Sequence, residues 1–169
     1  MGLRTLRYTT LLRMQRPITD FIEEWMKIVP EDVIDPKDAC ILVVEDNLQN
    51  TVLISRLLDF LGVRQYEWKA SSWQISEAIE RMPRVDLVLL DLHLPHEDGY
   101  AVLTKIRSDP RTATSRVVAV TADAHPETME QVRKAGFDGF LGKPIDPEKF
   151  PDQITQILQG EGVWDLGYS

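Results

Sequence analysis

Cys40 to Val44, Val85 to Leu90 and Val117 to Val120 are runs apolar at nearly every position, and helix-periodic stretches lie between them. No other feature restricts the fold as much. Successive side chains of a strand point to opposite faces, so a strand with one wet face alternates apolar and polar residues. A strand apolar throughout is covered on both faces, the condition of a parallel sheet held between two layers of helices.

The intervening segments fit that scheme. Residues 48–61, 72–82, 100–107 and 126–135 carry apolar side chains at helical spacing, and Pro147 opens a last helix through Leu158. Gly62 and Gly136 stand where helices stop. Tyr66 to Lys69 and Phe140-Leu141 read as two shorter strands. The resulting order, βαβαβαβαβα, predicts a flavodoxin-like doubly wound (βα)5 α/β fold with strand order 2-1-3-4-5. It occupies residues 39–160. Residues 1–38 are read as a helical extension and residues 161–169 as a tail.

The extension has a pattern of its own. Residues 17–29 predict a helix with Ile18, Phe21, Ile22, Trp25, Ile28 and Val29 on one stripe and Pro17 in its first turn. An isolated helix of this length is marginal in water, so the stripe needs cover. The expectation is a homodimer or partner contact through residues 1–30; the rivals are packing against the chain's own domain, and a segment that is partly disordered or follows from a misplaced start codon.

Composition removes several classes. A net charge of −8 argues against nucleic acid as the main partner. The single cysteine, Cys40, excludes a disulfide framework and fits a cytoplasmic protein. No apolar run reaches membrane-spanning length. Arg4, Arg7, Arg13 and Arg16 interrupt any signal-peptide core, and Leu6 stands where myristoylation needs a hydroxyl. That Arg-rich stretch resembles an organelle transit peptide, but a surface helix is the commoner setting for such a segment and the favoured reading.

In an open α/β sheet the site lies beyond the carboxyl ends of the strands, at the switch in strand order. For order 2-1-3-4-5 that is between the first and third strands. The first ends in Glu45-Asp46 and the third in Asp91, so three carboxylates converge there. Clustered carboxylates repel unless something positive sits among them, and a hard divalent cation such as magnesium suits them. Thr121 and Lys143 end the fourth and fifth strands on the same rim. Carboxylate, metal, hydroxyl and lysine together make a phosphoryl site with the carboxylate as nucleophile. Singly, each residue also fits a helix cap, a turn or a surface charge.

VVEDN at 43–47, DLHLPHEDG at 91–99, VTA at 120–122 and GFLGKP at 139–144 occur in order. In these motifs the chain resembles the response-regulator receiver domain of two-component signalling, over about residues 39–160. The resemblance implies that Asp91 accepts a phosphoryl group from a histidine kinase or phosphotransfer protein. It implies magnesium held by Asp46, Asp91 and the backbone carbonyl of His93, with Glu45 acting through water. Thr121 and Phe140 would form the switch, Lys143 would pair with the phosphoryl group, and Lys143-Pro144 would be cis. His93 and Asp123 stand where members of the family tune phosphoryl lifetime. Phe140, its strand and the helices at 126–135 and 147–158 would form the signalling face.

Three functions compete at this point. The first is a single-domain response regulator, catalysing only its own phosphorylation and dephosphorylation, whose output is contact with a downstream protein or onward relay of the phosphoryl group. The second is an aspartyl-phosphate phosphatase of the haloacid-dehalogenase kind; it needs a second Asp two residues after the nucleophile, where His93 stands. The third is a phosphorylation-independent interaction module. A transition-metal site of His93, His96 and His125 is disfavoured, because the first two lie in a proline-containing turn.

Overall fold

The computed structural model describes residues 17–26 and 33–167. They fall into two compact units that divide after Val33, and each is described by itself. In the first, the expected helix is α1 (Ile18–Met26), with Ile18 and Ile22 exposed. The expectations for residues 1–16 and 27–32, including the Arg-rich stretch, lie outside the described residues.

The second unit carries the parallel sheet. Its strands are β1 (Cys40–Val44), β2 (Gln65–Lys69), β3 (Leu87–Leu90), β4 (Arg116–Thr121), β5 (Gly139–Gly142) and β6 (Trp164–Asp165). The helices are α2 (Leu48–Phe60), α3 (Ile75–Arg81), α4 (Gly99–Ser108), α5 (Pro126–Ala135) and α6 (Phe150–Leu158). The strand order is β2-β1-β3-β4-β5-β6, all parallel. The doubly wound order is therefore present, extended by one strand that the sequence reading did not foresee.

The continuous apolar runs do what their composition requires. Cys40, Leu42 and Val44 of β1 point into the layer formed by α3, α4 and α5, where Ala78, Ile79, Val102, Ile106 and Val132 meet them. Ala39, Ile41 and Val43 point the other way, against Ile54 and Leu58 of α2 and Phe150, Ile154 and Ile157 of α6. All five residues of β1 are buried. Beyond burial, the Asp86 carboxylate accepts from the Cys40 main-chain N–H at 2.8 Å, and that of Asp138 accepts from the Val117 N–H at 2.7 Å. Gly62 and Gly136 follow α2 and α5 with φ of +83° and +97°, a left-handed turn that costs glycine little.

Two expectations are corrected. Residues 72–82 are not one helix: a 3-10 turn at Ser72–Gln74 precedes α3. The last helix does not open at Pro147. Residues 147–149 form a turn, and α6 begins at Phe150 with Pro151 in its first turn. The physical reason is that Asp146 caps this turn, its carboxylate accepting from the Glu148 N–H at 2.9 Å and its carbonyl from the Phe150 N–H at 3.0 Å. A proline is free of cost in the first helical turn, and Pro151, not Pro147, occupies it.

Candidate functional site

The carboxyl ends of β1 and β3 lie side by side, paired through Val44 and Leu90. Each strand therefore delivers its next residue to one place. Glu45 is 2% exposed and Asp91 6% exposed, while Asp46 on the loop is open to solvent. Ligand oxygens of the three carboxylates lie within 4.8 Å of one another. The β4 and β5 ends are likewise paired, Thr121 with Gly142, and the Lys143 N–H donates to the Thr121 carbonyl at 2.8 Å.

Lys143 ties the cluster together. Its Nζ donates to Asp91 Oδ2 at 2.7 Å and stands 2.6 Å from Glu45 Oε2. Burial works to lower the pKa of this ammonium, but the hydrogen bonds and negative charge of Asp91 and Glu45 outweigh it, and the net shift is upward. The other Asp91 oxygen, Oδ1, accepts the His93 N–H at 2.9 Å. Both oxygens of this buried carboxylate are thus held in place. Glu45 is held by Oε1, which accepts the Asn47 N–H at 3.0 Å.

The residues fit a metal ion. Glu45 Oε2 is buried, with the Lys143 ammonium at 2.6 Å as its partner. A carboxylate oxygen has two lone-pair sites, so one ammonium leaves room for a cation. The cluster offers only carboxylate oxygens, a hard donor set that suits magnesium or calcium over a thiophilic ion.

The remaining predicted residues are placed as follows. Thr121 is fully buried, and its Oγ1 accepts the Asp123 N–H at 3.1 Å. Phe140 is fully buried in the α3–α5 layer. The Lys143–Pro144 peptide is cis. The Asp123 carboxylate turns to the start of α5, accepting from Thr128 Oγ1 at 3.1 Å and lying 3.6 Å from His125 Nε2. His93 and His96 are exposed in a two-stranded turn that pairs His93 with Asp98.

One contributor escaped the sequence reading. Trp68, near the end of β2, donates its indole N–H to the Glu45 carbonyl at 2.6 Å, and the Glu45 N–H donates to the neighbouring Lys69 carbonyl at 3.0 Å. The main chain of the first acidic residue is clamped from the adjacent strand. A tryptophan in a weak strand offers no such signal, because the contact depends on the β1–β2 register.

The comparisons with known proteins agree with this geometry. Residues 41–155 match the family model of the response regulator receiver domain. The chain is 29% identical over 164 residues to the signal transduction histidine-protein kinase BarA of Escherichia coli (strain K12); the match takes in 96% of this chain but only 18% of the kinase. It is 30% identical over 118 residues to the polar-differentiation response regulator DivK of Brucella ovis, covering 70% of this chain and 94% of DivK. Among solved structures, it is similar to the receiver domain of sensor histidine kinase PA1611 from Pseudomonas aeruginosa PAO1, determined with a magnesium ion coordinated in its active-site cleft. There the TM-score is 0.62 at 32% identity, over 73% of this chain and 98% of that one. The chemotaxis response regulator CheY4 of Vibrio cholerae, 21% identical with a TM-score of 0.64 over 70% of this chain and 98% of its own, has the same fold. From buried carboxylate to family match the observations agree: this chain belongs to the response regulator receiver domain family of two-component systems.

Proposed function

We propose that Asp91 is a phosphoacceptor. The observation that carries this reading is a carboxylate 6% exposed, with both oxygens held, one by the His93 N–H and one by Lys143, inside a cluster of three acids. An Asp91 oxygen attacks the phosphorus of a phosphohistidine on a kinase or phosphotransfer partner. The new O–P bond forms as the P–N bond breaks, and the electron pair leaves with the imidazole. Lys143 offsets the charge that gathers on the phosphoryl oxygens, and the Thr121 hydroxyl turns to donate to one of them. Glu45, Asp46 and Asp91, with the His93 carbonyl, would hold magnesium. The bound ion would supply positive charge to the transferring group. Hydrolysis by water reverses the modification, and His93 and Asp123 tune its rate. The chemistry is confined to the protein's own side chain, and the output is contact with another protein through Phe140, α5, β5 and α6.

Incubation with magnesium and acetyl phosphate should add one phosphoryl mass to the intact chain and none to Asp91→Asn. Equal uptake by that variant would show that another residue is the acceptor.

Similarity to the receiver domain of a sensor histidine kinase favours a second reading, relay of the phosphoryl group to a phosphotransfer protein. Phosphorylated protein mixed with a histidine phosphotransfer domain should then pass label to it faster than to water.

A further inference from the structure

Past α6 the chain turns back and lies along β5. The Val163 carbonyl accepts the Phe140 N–H at 2.8 Å, and β6 pairs Trp164 with Phe140 and Asp165 with Leu141. Its side chains bind both flanking helices. Arg133 of α5 stacks over the Trp164 ring at 4.3 Å from the centroid, while Gln153 of α6 donates to Asp165 Oδ2 at 2.7 Å. Trp164 and Leu166 pack on the layer that contains Phe140. Residues 163–167 therefore form a strap across α5, β5 and α6, and they lie beyond the residues matched by the family model.

The fit to β5 leaves no slack beside the site. A Cβ on Gly142 would stand 2.2 Å from the Leu166 carbonyl oxygen, and one on Gly139 would stand 2.8 Å from that of Val163. Gly142 immediately precedes Lys143, whose ammonium bridges Asp91 and Glu45. The strap touches the backbone one residue from the group that answers to the charge on Asp91.

We propose that residues 163–167 are a latch on β5 that phosphorylation of Asp91 releases. The inference rests on Asp91 being the phosphoacceptor. A phosphoryl group extends the negative charge outward from the carboxylate and draws Lys143 and Thr121 to new positions. The end of β5 moves with them. A strap packed without slack on the old backbone loses contact whichever way that backbone shifts. Its strand pairing spans two residues and its side chains are only half-buried, which puts it at the low end of local stability, where opening comes first. Release uncovers Trp164, Leu166 and the β5 edge together, so the signalling face changes shape and not merely charge.

Coupling of this kind is reciprocal. The test uses the full chain in magnesium, with and without beryllium fluoride as the phosphoryl mimic, and reads amide exchange at residues 164–167. Exchange there should rise about fivefold or more when the mimic binds. Trp164→Ala and, as a milder variant, Asp165→Ala should bind beryllium fluoride more tightly by a similar factor in calorimetry. Unchanged or slower exchange at 164–167, in protein shown by calorimetry to have bound the mimic, overturns the latch while leaving the phosphoacceptor reading intact. Failure of Asp91 to take a phosphoryl mass from acetyl phosphate overturns both.

Discussion

Lys143 reaches two buried carboxylates at once, at 2.7 Å and 2.6 Å, and its side chain is 11% exposed. Removing one partner from such a cluster leaves charge uncompensated, so Lys143→Met should lower stability by about 3 kcal/mol in urea unfolding without divalent cation. The ammonium pKa is raised in the folded state, so its contribution is complete below the unfolded value and is lost as pH rises through the folded one. The difference between wild type and Lys143→Met should therefore not change through loss of the lysine charge from pH 6 to 9, and should begin to shrink only above about pH 10.4. Magnesium should raise the melting temperature of the wild type, a gain on the order of 1–3 kcal/mol at saturating metal. Asp46→Ala should remove most of that gain, and an unchanged melting curve in millimolar magnesium would count against a metal site. Glu45, Asp46, Asp91, Thr121 and Lys143 were legible in the sequence because each ends or follows a strand, and the fold class says where strand ends meet. Trp68 was not, since its indole reaches a main-chain carbonyl across a register that only folding sets.

At the scale of the elements, the loops that carry site residues are fastened by helix caps. Asn47 accepts the N–H groups of Gln49 and Asn50 at the start of α2, and Asp98 accepts those of Tyr100 and Ala101 at the start of α4. Asn47→Ala and Asp98→Ala should each cost about 1 kcal/mol by denaturant unfolding. The two should differ in calorimetry. Asn47→Ala should also weaken magnesium binding, because losing the side-chain cap frees the main chain next to Asp46, where the Asn47 N–H holds Glu45 Oε1; Asp98→Ala should leave that affinity near wild type. The start of α6 shows how local signals mislead. Pro147 and Pro151 are both acceptable in a first helical turn, and the choice falls to Asp146, whose side chain and carbonyl close the turn before Phe150.

For the whole molecule, the question left by the sequence is what covers the stripe of the N-terminal helix. Phe21, Ile22 and Trp25 follow helical spacing within α1. A helix of nine residues gains little from its own hydrogen bonds and needs an apolar partner surface. We expect residues 1–30 to mediate assembly. By solution mass at high micromolar concentration, the full chain should be a dimer and a chain beginning at Asp38 a monomer. Two monomers would remove the extension from any role in dimer formation.

The amino-acid sequence by itself determined the layered α/β architecture, since strands apolar at every position have no other stable setting than burial on both faces. It also determined which residues reach the carboxyl edge of the sheet, because that follows from strand order and strand ends alone. Tertiary structure decided the rest. Val163 to Leu166 show no strand-length apolar run, and only the edge of β5, with glycine at 139 and 142, makes the short strand Trp164–Asp165 within them. Whether Glu45 Oε2 would face water, lysine or nothing was likewise beyond a linear reading. It depends on where Lys143, from a strand almost a hundred residues later, comes to rest.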